Sequence, residues 1–469
     1  MAHGNGTFKE LKMLNRRQFN KGLFVLALSG LATHLHASER FKLNRLMGQN
    51  LAYGPLVSDP DGILDLPTRF SYRIISQLDE LMQDGLPVPD RADGMGCFAL
   101  DEERIVLVRN HELSPPKEPS TLFSESRVLA ENVFDSDSNG YPLPGGTSHI
   151  VYNLQTGKVE RQFMSLLGTI RNCSGGTTPW GSWLSCEESV ANASQSIGKN
   201  HGYVFEVPAL AEGLVTPLPL KQMGRFNHEA ACVDPQTGIV YLTEDRGDSL
   251  FYRFLPNQPG KLAMGGKLQA LAIKNSSKFD TRNWDNRAIS LNSELSCSWL
   301  DLENVDGESD DLRIRGFDKG AALFARGEGI HFDNGEMYFC CTSGGKQKLG
   351  QIMRYRPSEF EGTAGESIQP GKLSLFLESA DKVSFNYGDN ITVAPSGHLL
   401  VCEDQYSDTV NNHLKGVTPT GEIYDFAKVR WQTEPAGVCF SPDGSTLFVN
   451  LYSPTTTLAI TGPWGDFKS

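Results

Sequence analysis

The sequence predicts an all-β fold, a six-bladed β-propeller with helical and loop insertions, and three observations carry that reading. A pattern of short apolar strand, polar turn and second apolar strand recurs six times along the chain. Helical periodicity is scarce, and Gly (47) and Pro (25) are abundant, as many short strands joined by turns require. The six units, unequal in length, read as small antiparallel sheets closed around a central channel. From the residues alone an irregular β-sandwich or a ring of five or seven blades stays open.

Taken in order, the chain begins with an address. Arg16-Arg17, Phe19 and the apolar run Gly22 to Ala32 resemble a twin-arginine export signal, with cleavage expected near Ala37-Ser38. That run is short of the roughly 20 residues a membrane span needs. Residues 1–37 are therefore set apart as a twin-arginine signal, and 38–469 form one domain that is not membrane-embedded after export. The location expected is periplasmic or secreted, with the twin-arginine translocase as a partner during export. That route carries folded proteins, often with a metal already in place. Next, Ile74, Ile75, Leu78 and Leu81 follow a helical stripe, so the segment from Phe70 to Leu81 is expected to be a helix covering the outside of the core.

The six copies are Cys97–Asn110, Gly175–Glu187, Ala231–Glu244, Ile330–Thr342, Ile391–Glu403 and Val438–Asn450. Asp234-Pro235, Pro395-Ser396-Gly397 and Pro442-Asp443-Gly444 have the chemistry of tight reversals between strands. Equivalent positions in such a ring face the same place, so chemistry is sought in columns. The residues two places before each first strand are Met95, Cys173, Glu229, Glu328, Asp389 and Ala436. Those ending each second strand are Asn110, Glu187, Glu244, Thr342, Glu403 and Asn450, and the three glutamates are followed by Glu188, Asp245 and Asp404. His111 and Glu112 follow Asn110 and add a further carboxylate.

Like charges gathered at the centre of a fold repel strongly at low dielectric. Lys and Arg are scarce in these columns, so bound metal ions are the simplest neutralisation. Carboxylates, Asn and Thr are hard oxygen donors suited to Ca2+ or a ferric ion, and the Cys173 thiolate points to iron or another transition metal. Arg326, two residues before Glu328, suits bidentate binding of phosphate oxygens, or serves as a counter-ion to the carboxylates. Cys232, Cys340, Cys341 and Cys439 fall inside strands and are expected to be packing residues. Nine cysteines at no regular interval do not describe a disulfide framework. Asp135-Ser136-Asp137-Ser138-Asn139-Gly140 opens like a calcium loop but has Gly146 at the twelfth position, which favours an exposed turn. The acidic run Asp306 to Asp311 is expected to be a solvated loop.

Composition and missing motifs exclude several functions. Hydrophobic residues are 39% and charged residues 21%, a globular balance. The net charge of −13 carries no basic footprint for nucleic acid. There is no glycine-rich nucleotide loop, no nucleophile elbow and no zinc-type Cys/His spacing.

Several longer motifs resemble the PhoX family of bacterial alkaline phosphatases. They are Pro142 to Thr147, Asn172-Cys173-Ser174-Gly175-Gly176 running on to Glu188, Gly224 to Ala231, Tyr241 to Phe254 and Ile460 to Trp464. The matches run from about Asn110 to Trp464. The resemblance implies a six-bladed propeller holding two ferric ions and three calcium ions around a bridging oxide. It implies hydrolysis of small phosphate monoesters outside the cytoplasm by a monomer, favoured by alkaline pH and sensitive to chelators. Cys173 is then an iron ligand, Glu229 and Glu328 belong to the metal cluster, and Arg326 binds the substrate phosphate. Glu112, Glu187, Glu188, Glu244, Asp245, Asp389, Asn390, Glu403 and Asp404 match motif acids or amides without division between iron and calcium. Gly327 stands where the family usually has Pro, a change expected to loosen the loop holding Arg326. Two other readings are a calcium-dependent propeller acting on lactones or other esters, which has no use for Cys173, and a non-catalytic binding propeller.

Overall fold

In the computed structural model, residues 53–115, 130–194, 196–405 and 412–466 are described. The export signal read over residues 1–37 lies outside them. The compact unit beginning at Leu56 is all-β and propeller-like, with one short α-helix, Leu312–Lys319, among the described residues. No described helix is long and apolar enough to cross a membrane.

Each of the six sequence copies is the innermost pair of strands of an antiparallel meander. The innermost strands are Ala92–Ala99, Asn172–Thr177, His228–Val233, Gly327–Asp333, Gly388–Val393 and Pro435–Phe440. Each packs on the next in that order, and the last packs back on the first, so together they surround a common axis. The turns do what their residues suit. Asp234 takes the Gln236 amide and the Thr237 hydroxyl, and Asp443 takes the Ser445 amide. The meanders starting at His228 and at Gly327 are joined into one sheet through the strand Glu294–Asp301.

The core lies between neighbouring sheets, in separate apolar clusters. One joins Cys173, Leu184 and Val204 to Leu242, Tyr252 and Phe254. The next stacks Phe251 on Phe339, with ring centroids 4.4 Å apart, and includes Cys232 and Cys341. All nine cysteines are unpaired; of those expected to pack inside strands, Cys232, Cys340 and Cys341 are buried and Cys439 is half-buried against the cluster that holds Met95.

The segment from Phe70 to Leu81 is not a helix. Ser71–Gln77 is a strand that pairs antiparallel with Thr456–Thr461, with Tyr72 opposite Ile460 and Ile74 opposite Leu458. Residues near the beginning of the domain thereby close the last sheet from outside. A free strand edge at Thr456–Thr461 and the β-branched pair Ile74-Ile75 outweigh the helical spacing. Ile75 enters the core, whereas Ile74 and Leu81 are exposed.

Candidate functional site

The site is built from one irregularity repeated around the axis. In every innermost strand, two residues oppose a single residue of the second strand, which makes a β-bulge near its start. A bulge breaks the strict alternation of side chains and re-aims the extra residue. The first bulge residues are Asp93, Cys173, Glu229, Glu328, Asp389 and Gly437. Four of these match the column read from the sequence. The other two correct it: the first copy starts at Met95 and the last at Cys439, so Asp93 replaces Met95 and Gly437 replaces Ala436. Met95 is instead a buried packing residue. At Gly437, with φ +61, a Cβ would meet the Asp93 carbonyl oxygen at 2.2 Å, so no side chain fits.

Glu229, Glu328 and Asp389 each bring a carboxylate oxygen within 4.8 Å of the others. Burial lifts all three well out of the usual carboxylate range, and mutual repulsion adds to it. Asp389 is pushed up to about 8, by burial first and then by Asp404, against the pull of Arg326. Asp93 is raised by burial, then by Asp389, Glu112 and Asp404, and Glu434 by burial and its contact with Asp404. Sequence reasoning misses both Asp93 and Glu434. The Asp93-Gly94 pair echoes Glu328-Gly329, but the shifted first copy hides it. The Cys173 thiol is buried beside this group, with Sγ 3.3 Å from the His228 carbonyl and 3.5 Å from that of Glu229. Burial, then the Glu229 charge, pushes it well up.

A second ring forms the rim. In five of the six sheets the residue after the second strand donates its backbone N–H to the residue two places before the bulge, and in the sixth Tyr452 donates to Glu434. Glu112 donates to Arg91, Glu188 to Arg171, Asp245 to Asn227, Thr342 to Arg326 and Asp404 to Tyr387, over 2.9–3.2 Å. Of the acceptors, Arg91, Arg171, Arg326 and Tyr387 all have φ between 47° and 56°, a conformation uncommon outside glycine. Asp245 holds Arg326 in a fork, with 2.6 Å to Nε and 2.8 Å to Nη2, and Glu328 lies 3.3 Å from Nη2. The Arg326 N–H also donates to Arg246 O at 2.9 Å. The Arg326 backbone is thus bonded on both sides, and Gly327 opens the strand Gly327–Asp333.

The strand-end residues sort differently from expectation. By register, His111 and Cys341 occupy the strand-end column, not Asn110 and Thr342. Glu187, Glu244 and Glu403, expected among the metal ligands, each meet nearby protein groups, Glu244 through one oxygen only. Glu187 accepts from the amides of Ile170, Gly202 and Tyr203 and from His201 Nδ1 at 2.6 Å. Glu244 accepts from the Tyr252 hydroxyl at 2.7 Å, with Arg313 at 3.9 Å. Glu403 accepts from the Asn386 amide and His413, with Lys415 at 3.8 Å. Alternation explains it: in a strand, residues 187 and 188 cannot face the same way. Asn390 is likewise a brace, its Oδ1 taking the Gly437 amide and its Nδ2 donating to Asp389 at 3.2 Å.

Two further expectations are corrected. Asp135 is buried, not exposed, and accepts from His201 Nε2 at 3.2 Å and the Lys199 amide at 2.9 Å, while Asp137 does shape a turn. The acidic run is paired as well as solvated: Asp306 accepts from the Tyr203 hydroxyl, Asp310 and Asp311 from Arg313 and Arg315.

The donor set fits multivalent cations. Among the described residues Glu229 receives no side-chain hydrogen bond, and Arg326 is the cation nearest Glu328, so buried negative charge exceeds local compensation. Crowded carboxylates short of donors are what hard cations require. The rim opens to solvent through half-exposed Arg171 and Arg326. On the far side of the bulges the axis holds a cavity of about 260 Å3 lined by Met95, Trp183, Ile330, Phe332 and Ile391 among others.

Comparison with known proteins gives one family and a shared fold. The family model described as alkaline phosphatase PhoX matches residues 51–141 and 142–455. A solved Pseudomonas fluorescens PhoX in complex with vanadate, a transition state analogue, superimposes with a TM-score of 0.67 at 18% identity, covering 88% of this chain and 98% of that one. A Xanthomonas campestris gluconolactonase gives 0.41 at 11% identity, over 88% and 98% of the two chains. The β-propeller domain of Myceliophthora thermophila Cps50 (Swd1) gives 0.41 at 9%, over 84% and 100%. No curated protein matches the chain.

Proposed function

The chain belongs to the PhoX family of alkaline phosphatases, and from that premise we propose that it hydrolyses small phosphate monoesters at a multivalent-cation cluster on the axis of a six-bladed propeller. The observation that carries the reading is the trio of buried Glu229, buried Glu328 and half-buried Asp389, with carboxylate oxygens within 4.8 Å of one another. Asp93, Cys173, Glu112, Asp404 and Glu434 complete the set able to hold the ions, with Cys173 toward iron and the outer carboxylates toward calcium. Two ferric and three calcium ions are the complement proposed. The count of six blades is supported by the six innermost strands that pack in a closed ring.

When bound, such ions supply positive charge and Lewis acidity to the phosphoryl group. The rest falls to the chain. Arg326 has Nε and Nη2 fixed on Asp245, which leaves Nη1 to donate to a phosphoryl oxygen and to stabilise charge as the ester bond breaks. Asp245 sets the plane of that guanidinium, so little reorganisation accompanies reaction. The ester's organic part stays at the solvent-open rim, a geometry that accepts many alcohols. A vanadate complex of a PhoX protein of the same fold agrees with a phosphoryl-transfer site. Arg16-Arg17 and the apolar run after them support export through the twin-arginine route, so the enzyme, proposed as a monomer, works outside the cytoplasm.

The test is elemental analysis with a visible spectrum, followed by a phosphatase assay before and after chelation. Iron and calcium in the purified protein, a ferric–thiolate absorption and loss of turnover with EDTA are the expected results. Full turnover by metal-free protein rules the proposal out.

A further inference from the structure

Arg326 has a counterpart that the sequence did not single out. Arg171 lies two residues before the bulge residue Cys173, as Arg326 lies two before Glu328. The two share a left-handed backbone, with φ 47° and 56°. They share its fixings too: Arg171 donates its N–H to Leu113 O at 2.9 Å and accepts from the Glu188 amide at 2.9 Å, matching the two backbone bonds of Arg326. Their side chains are 34% and 38% exposed, so both guanidinium groups stand at the mouth. Arg171 uses Nε on the Glu188 carbonyl at 2.9 Å and Nη2 on Glu188 and on Glu112, the latter at 2.8 Å. Nη1 of each arginine has no partner among the described residues.

A hydrogen-bonded arc joins them across the strand that carries Glu229. Arg171 holds Glu188; Glu188 Oε1 accepts from Asn227 Nδ2 at 2.8 Å; Asn227 Nδ2 also reaches Asp245 O at 3.4 Å; Asp245 holds Arg326. Arg171 therefore flanks the cluster on the Cys173 side and Arg326 on the Glu328 side, at a separation set by rigid groups.

We propose that Arg171 is a second phosphate-binding residue, whose free Nη1 holds one peripheral oxygen of the phosphoryl group while Arg326 holds another. This rests on the phosphatase reading above and adds a basis for specificity. A monoester dianion has three non-ester oxygens, one for the ions and one for each guanidinium, whereas a diester has only two and leaves one of these partners unmet. Preference for monoesters over diesters follows.

The experiment compares the parent protein with Arg171→Lys, which keeps the charge that balances Glu112 and Glu188 but loses the planar fork. Metal content is measured by elemental analysis and inorganic phosphate binding by calorimetry on metal-loaded protein. The expected result is unchanged metal content and phosphate affinity weaker by about tenfold or more, the scale of one charge-assisted hydrogen bond. KM should rise more than kcat falls, and the monoester-to-diester ratio of kcat/KM should drop. Asn227→Ala, which cuts the arc and leaves both arginines, should show a smaller loss in the same direction. Phosphate affinity of Arg171→Lys within twofold of the parent overturns the assignment, as does loss of metal from that variant. A parent protein that binds no phosphate defeats the phosphatase reading itself, a distinct failure.

Discussion

Two sets of three carboxylates, one at the ends of the second strands and one at the bulges of the first strands, have opposite environments. Glu187, Glu244 and Glu403 end the second strands and are met by amides, hydroxyls and cations of neighbouring segments, with Glu244 the least satisfied, its Oε1 unbonded and burial pushing it up to about 7. Glu229, Glu328 and Asp389 occupy the bulges of the first strands and meet chiefly one another. Burial is the same in kind for both; what differs is the number of donors. A satisfied buried acid is a structural clamp, and a crowded acid short of donors attracts positive charge. Sequence position could not separate them, because both sets are acids at fixed offsets beside apolar strands.

The largest expected contrast comes from removing one charge from each set. Glu229→Gln should cut phosphatase activity by about 10^3 or more and lower bound iron and calcium, while leaving the metal-free fold as stable or more stable, since repulsion is relieved. Glu187→Gln should keep the metals and destabilise folding by about 3–5 kcal/mol, because His201 is left charged and poorly partnered. Metal analysis and denaturant melts of the two variants decide the matter; metal loss from Glu187→Gln would erase the distinction.

Asp93→Asn sharpens the membership of the crowded set. It should reduce metal content and lower activity by about tenfold to a hundredfold, on the scale of one lost charged contact. A variant with parental metal content would return Asp93 to a structural role.

The clamp set should show its own pH signature. Burial alone would lower the His201 pKa, but the Glu187 charge and the Asp135 bond carry it up to about 9. A raised folded pKa means that the stabilisation is complete below the unfolded value near 6.5 and is lost as pH rises through about 9. On the order of 3 kcal/mol is at stake, visible as a fall in melting temperature between pH 7 and pH 10. Glu187→Gln should flatten that fall. Asp135→Asn is the mildest change, at about 1–2 kcal/mol, because Glu187 remains to hold the ring.

Much of the site is legible in the repeats themselves. They define equivalent positions, and equivalence alone brings Cys173, Glu229, Glu328 and Asp389 into one column. Asp93 escapes because the first innermost strand begins two residues earlier than its apolar run suggests. Arg326 stands out by its neighbour Glu328, not by its place in a column, so its counterpart Arg171 escapes too. Glu434 lies outside the repeated unit, and only the approach of the last strand to Asp404 brings it in. The helix expected over Phe70 to Leu81 fails for a related reason. Its spacing is a local signal, and the partner that makes it a strand, Thr456–Thr461, lies nearly four hundred residues away.

Composition and short-range periodicity are enough to specify the repeated strand pairs, the turns and the types of donor atom. Tertiary structure alone decided which acids meet. A side chain's direction at a bulge depends on how two strands pair, and a shift of one residue turns an acid away from the others and into its own sheet.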